Sequence, residues 1–247
     1  MPNALHVVLR RYEREREDMK TFAVLALVAF AGAAQAQTFF GSGAAIPDNT
    51  VGGVNGGNIV VAGPLGTIQS VSFGMQGLTH TWVGDLIATV TYTPNTGAPI
   101  SVNLMNRIGL PPAGAGDSSD FGGDYTFSDS GADLWAAAAA AGGAIVIAGG
   151  DYRATGAGSS SPINLTALFA GANAQGVWSI NVADRAGADV GAFTGWSVSL
   201  TAVPAPSALA MMGLGRPGRR PSSSLSSWIV NCRLQWPRRE AWPLLLE

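Results

Sequence analysis

The stretch His80-Thr81-Trp82-Val83-Gly84-Asp85-Leu86 decides how this chain is read. It holds the one histidine between the N-terminal extension and the end of the chain, then a large aromatic, then a lone carboxylate. Histidine and aspartate so close in sequence suit an acid–base corner, a metal site, or the polar entry to a strand. Nucleophilic catalysis requires a serine or cysteine beside a base that a third group orients. No G-x-S-x-G elbow occurs; Gly41-Ser42-Gly43 and Ser159-Ser160-Ser161 lie in glycine- and serine-rich segments. Catalytic zinc usually takes several His or Cys ligands, which one histidine cannot supply. The glycine-rich run Gly52–Gly57 lacks the Lys-Ser/Thr ending of a phosphate loop. The stretch therefore reads as a strand entry. Trp82 is expected to pack the core, Gly84 to let the backbone turn, and His80 to hydrogen-bond structurally. Asp85 either caps that turn or reaches a cation.

Working outward, Thr67–Phe73 alternates apolar and polar residues as a half-buried strand does. Asp85–Thr93 is a β-rich run, Pro94-Asn95-Thr96-Gly97 a turn, and Pro99–Met105 its hairpin partner. Val177–Val182 and Gly195–Thr201 place Trp, Ile or Val at every second position, on one face. Many short strands separated by Gly, Asn and Pro turns predict an all-β, antiparallel β-sandwich. The alanine run Leu134–Ala141 stops at Gly142-Gly143 and predicts a short helix or a loop insertion.

The ends differ from the middle. Residues 19–36, MKTFAVLALVAFAGAAQA, carry a basic start, an apolar run and an Ala-Gln-Ala ending, the pattern of a secretory signal peptide cleaved after Ala36. Its apolar run is short for a membrane span. Residues 37–45 are expected to be a flexible mature N-terminus. Residues 1–18 are expected to be a mis-assigned extension ahead of a start at Met19, the alternative being a short charged helix. From Arg216 onward the chain crowds six arginines, three of its seven tryptophans and its one cysteine, Cys232. That composition reads as a disordered basic tail or an out-of-frame translation. The body between has no cysteine, so its stability is expected from packing.

From Gln37 to Val203 there are ten aspartates, three arginines, no lysine and no glutamate, a formal charge of −7. Such acidity argues against nucleic acid as a partner. Short carboxylates in loops suit hard cations, and Gly116–Asp129 holds Asp117, Asp120, Asp124 and Asp129 in what reads as one flexible acidic loop. A plain solvated loop is the competing reading. Ten aspartates also leave room for a glycosidase pair, although nothing in their spacing selects two.

Several segments, in order, resemble the P domain (P/Homo B domain) that accompanies subtilisin-like proprotein convertases and many bacterial secreted proteins. They are Ile46-Pro47-Asp48-Asn49, the opening stretch His80–Leu86, Thr91–Gly97, Thr126-Phe127-Ser128-Asp129, Gly176–Asp184, and Asp189-Val190-Gly191 with Gly195–Leu200. The resemblance covers about residues 46–202. It implies a jelly roll of about eight strands with no catalysis of its own, which in convertases stabilises a neighbouring protease domain. No protease domain accompanies it here. Some members of that family hold calcium, and by position Asp48, Asp85 and Asp129 are the candidate ligands. A second resemblance, at Val203-Pro204-Ala205-Pro206-Ser207 and the apolar residues to Gly215, is to the start of a PEP-CTERM sorting signal. That family's exported proteins are processed by an exosortase system, often beside exopolysaccharide. Here the apolar stretch ends after about ten residues at Arg216, which is short for a bilayer.

The expectation is thus a non-catalytic exported protein of the cell surface or extracellular matrix, a binding or stabilising module with calcium as candidate cofactor. Its expected partners are exosortase-type machinery and an exopolysaccharide or surface protein. The alternative is a carbohydrate-active protein, either a glycan-binding jelly roll with Trp82, Trp178 and Trp196 as platform or a glycosidase using paired aspartates.

Overall fold

The computed structural model describes residues 11–16, 34–63, 65–111 and 114–204. Most of the signal-peptide segment, the sorting-signal-like residues after Pro204 and the tail 216–247 lie outside the described residues. Residues 11–16 are helical, with Arg11 Nε 3.3 Å from Glu15 Oε1 one turn on.

The body is all-β and built from two sheets, as alternation predicts. In chain order its elements are β1 (Gln35–Ile46), β2 (Val54–Asn55), β3 (Ile59–Val61), β4 (Leu65–His80), a 3-10 turn (Val83–Asp85), β5 (Leu86–Pro94) and β6 (Ile100–Asn106). There follow β7 (Phe121–Ala132), α1 (Leu134–Ala141), β8 (Gly150–Tyr152), α2 (Leu165–Phe169), β9 (Gly176–Asp184) and β10 (Gly191–Pro204). One sheet runs β1-β10-β4-β7-β8; the other runs β2-β9-β5-β6, with β3 also on β9. Every pairing is antiparallel except β7 with β8, which is parallel. Ten strands are described where about eight were expected; three of them, β2, β3 and β8, have only two or three residues each and the other seven are longer.

The long strands follow the period-2 rule. Along β5, Leu86, Ala88, Val90, Tyr92 and Pro94 are buried while the residues between them are more open. β5 and β6 form the expected hairpin, Tyr92 facing Ile100 across the turn. The inner faces meet around Trp178, stacked on Tyr92 at 3.9 Å with the rings 14° apart, and flanked by Phe73 and Phe169. The alanine run forms α1. The Asp133 carboxylate caps it by accepting from the Trp135 and Ala136 amides, and Gly142 at φ 59° ends it.

Two segment boundaries differ from expectation. Residues 37–45 are not a flexible lead but most of β1, which pairs with β10 from Gln35↔Ala202 to Ile46↔Gly191. Their glycines serve close approach and not mobility. A Cβ on Gly41 would stand 2.3 Å from Trp196 Nε1, and one on Gly43 1.7 Å from the Phe193 carbonyl. At the other end β10 continues through Val203 and Pro204, the first residues of the sorting-like stretch, so the paired body runs from 35 to 204. The acidic stretch 116–129 is likewise no single flexible loop, since β7 begins at Phe121 and buries Phe121, Tyr125 and Phe127.

Candidate functional site

The stretch from His80 to Leu86 closes one end of the sandwich, where β4 stops and β5 starts. His80 is the last residue of β4 and pairs with Gly191 at the start of β10. Leu86, the first residue of β5, pairs with Asp184, the last of β9. The topology therefore carries His80, Asp85 and Asp184 to one corner shared by both sheets.

His80 Nε2 lies 3.4 Å from Asp184 Oδ2, and neither side chain is accessible to solvent. His80 Nδ1 is 3.0 Å from the Trp82 carbonyl oxygen and 3.2 Å from the Trp82 amide nitrogen, so it either donates to the one or accepts from the other. Accepting leaves Nε2 to carry the proton toward Asp184, whereas donating leaves Nε2 a donor only in the imidazolium form. Asp184 also accepts from the Asn49 amide at 3.3 Å through Oδ2 and from the Ala186 amide at 3.1 Å through Oδ1. One buried carboxylate thus ties three chain segments together.

Asp85 is buried in the 3-10 turn. Its Oδ1 is 3.5 Å from Arg107 Nη2, while Arg107 Nε donates to the Gly84 carbonyl at 3.0 Å. Burial pushes the Asp85 carboxyl above the usual carboxylate range, the Asp184 charge adds to that, and Arg107 pulls it back. Arg107 itself sits at φ 47°, in the left-handed region that few non-glycine residues adopt. Around the rim Thr81 donates to Asp189 at 2.5 Å, and the Ala188 amide donates to the exposed Asp48 at 2.9 Å.

Gly84 and Trp82 have a different function from the one the sequence suggests. Gly84 is needed for space: a Cβ would meet the Ala115 carbonyl, Gly116 Cα and the Asp117 amide, each at 2.7 Å. Trp82 is only half-buried and donates Nε1–H to the Ala115 carbonyl at 2.7 Å, pinning the same loop.

The three calcium candidates do not converge. Asp48 and Asp85 lie at this corner, but Asp129 is on β7 and accepts from the Leu165 and Thr166 amides at 2.6 and 2.9 Å, capping α2. The other carboxylates of 116–129 also diverge. Asp117 turns back onto the Ser119 amide and hydroxyl, and Asp124 accepts from the Gly77 amide. Among the described residues no three His, Cys, Asp or Glu side chains are grouped to hold a metal ion. As arranged, these residues do not fit a single calcium site. The corner residues that sequence reading did not single out are Asp184 and Arg107. The Val-x-Asp ending of the β9 run was the signal for the first, and nothing local marked the second.

Two cavities lie elsewhere. One, of about 960 Å³, opens at the opposite end of β4 between Leu65, Pro94, Ile100, Ala172 and Val203, with no carboxylate in its wall. The other, of about 420 Å³, runs over the outer face of the β1-containing sheet among Ser70, Ser72, Ser128, Ser199 and Thr201, with Asp129 at its edge. Neither holds a pair of carboxylates. Trp178 and Trp196 are fully buried, which removes two of the three residues expected for a glycan platform.

No family model matches the chain, and no curated protein does. Among solved structures, the complex of the Aeromonas sobria serine protease with a chaperone superposes with a TM-score of 0.36 at 16% identity, over 73% of this chain and 29% of that one. The Aeromonas sobria serine protease alone gives 0.34 at 14% identity, over 72% and 29%. The chain thus spans under a third of the length of the structures it matches.

Proposed function

We propose that the chain is a non-catalytic, exported protein of the cell surface or extracellular matrix, whose sandwich is a P-domain-like jelly roll acting as a binding or stabilising module. The observation that supports it best is the sealed corner. The histidine–aspartate pair that looked most like catalytic machinery is cut off from solvent and saturated with structural hydrogen bonds. A general base must reach the proton it abstracts, and neither side chain of this pair is open to solvent.

Export rests on the signal-like residues 19–36, and cell-surface sorting by exosortase-type machinery on Val203–Gly215. Calcium stabilisation is the metal part of the proposal; Asp48, Asp85 and Asp129 do not form one site as arranged, with Asp85 beside Arg107 and Asp129 engaged at α2, so a bound calcium would need these carboxylates to rearrange. Thermal unfolding of the purified chain with calcium and with EDTA tests that part. A rise in Tm that EDTA reverses supports it, and identical curves remove it. Fractionating expressing cells tests export, and a cytosolic product would sink it. Turnover of a protein or polysaccharide substrate by the purified chain would sink the non-catalytic reading.

A further inference from the structure

We propose that the outer edge of β1 is a pairing surface for a second copy of this chain, joining two β1-containing sheets across a two-fold axis. β1 is an edge strand, with β10 on one side. On its other side the Ser42 carbonyl accepts from the Gly57 amide at 2.9 Å, so Ser42 faces away from β10. In an antiparallel ladder the N–H and C=O of one residue face the same side, and the side alternates along the strand. Thr38 and Phe40 therefore present their backbone groups to the same open side as Ser42. No partner meets those groups among the described residues.

Edge strands ordinarily carry protection: charge, proline, a bulge, or a covering segment. Gln35–Ile46 has no charged residue, no proline and no register shift against β10. The other edges are covered or brief. β6 gives its Leu104 carbonyl to the Thr155 amide, and β8 has three residues. Phe40 adds an apolar side chain, 73% exposed and the most open large hydrophobic among the described residues.

The occupant rests on the export reading proposed above. The Gly57 contact closes the edge at Ser42, and removal of the signal-like residues up to Ala36, of which Gln35 and Ala36 pair with β10 in the full chain, would start the strand at Gln37, leaving a short opening that a second copy matches in length. An antiparallel pair with Thr38 facing Phe40 of the second copy fits between these limits. Each closed end then projects past the start of the other strand and meets nothing. In that register the two Thr38–Phe40 pairs exchange four N–H···O bonds, and each Phe40 ring lies over a threonine methyl on the outer face. The body's −7 charge opposes association through most of its surface, but this strand brings no charge to the contact. The contact is isologous and closes on itself.

Sedimentation of the purified exported chain over a range of concentrations tests this. A monomer–dimer equilibrium is expected. Phe40→Lys places a charge on the edge, and Thr38→Pro removes an outward N–H without touching the β10 ladder. Each is expected to weaken dimerisation at least about tenfold while leaving Tm, measured at low concentration, within a few degrees. Because a variant could act by distorting the fold, register is read separately. Phe39→Cys in a Cys232→Ser background is expected to form an intermolecular disulfide, since Phe39 faces its own copy across a non-hydrogen-bonded pair. A chain that stays monomeric at millimolar concentration overturns the proposal. So do a dimer that both edge variants leave intact and an edge that binds added strand peptides but never its own copy.

Discussion

His80 Nε2 stands 3.4 Å from Asp184 Oδ2, linking the last residue of β4 in one sheet to the last residue of β9 in the other. It is a buried polar cross-link between the two sheets. Removing one member of a buried pair leaves the other unsatisfied, which typically costs about 3–5 kcal/mol. Asp184→Ala is expected to lose that order of stability in urea titration, because the Asn49 and Ala186 amides lose their acceptor along with His80. Asp184→Asn keeps an acceptor and should lose clearly less. Equal losses for the two variants would show that the carboxylate charge is the dominant feature.

Asp85 should behave in the opposite way. Its carboxyl is raised by burial and by Asp184, so its ionised form is disfavoured in the folded chain. A raised carboxylate contributes stability below its ordinary value of 3.8, and that contribution is lost as pH climbs through the folded value. The stability of the native chain relative to Asp85→Asn is therefore expected to fall as pH rises from 3 toward neutrality. Paired urea titrations across that range check it. A relative stability that grows with pH would mean that Arg107 outweighs burial.

Alkaline pH acts on the tyrosines. Burial pushes the Tyr92 hydroxyl up to about 12, and Tyr125 and Tyr152 are raised for the same reason. Stability from these groups is complete below the unfolded value near 10 and is lost as pH rises through the folded values. Tyrosinate absorbance from Tyr92, Tyr125 and Tyr152 is expected to appear together with loss of the folded signal. Titration of all tyrosines in a chain that stays folded would falsify the buried assignment.

Gly84→Ala is expected to destabilise by about 1–3 kcal/mol, because its Cβ meets backbone atoms of 115–117 at 2.7 Å, which cannot swing aside as a flexible side chain would. Denaturant unfolding measures it. A neutral result would show that the 114–117 loop yields.

Trp178→Ala removes the ring stacked on Tyr92 and is expected to cost about 3–5 kcal/mol. Its indole N–H has no hydrogen-bond partner among the described residues, so Trp178→Phe loses packing alone and should cost distinctly less. Comparable losses would point to a partner for that N–H.

Much of the fold is readable from local pattern. Period-2 alternation in β4, β5, β9 and β10 and the Pro94–Gly97 turn follow from side chains that must face either core or water. β1 was missed because Gly41-Ser42-Gly43 resembles a mobile lead, whereas the two glycines are small so that Trp196 and Phe193 can approach. β7 was missed because its aspartates suggested a loop, although Phe121, Tyr125 and Phe127 keep the inward rhythm.

The sequence by itself determined the all-β class, the acidity of the body, the absence of cysteine from it and the strand entry at His80–Leu86. Each depends on residue type and on neighbours along the chain. Only the tertiary structure decided that His80 meets Asp184 across 104 residues, that Arg107 faces Asp85, and that Asp129 caps α2. A carboxylate's role is set by which donors the fold brings within about 3 Å of it, and strand order, not spacing along the chain, brings them there.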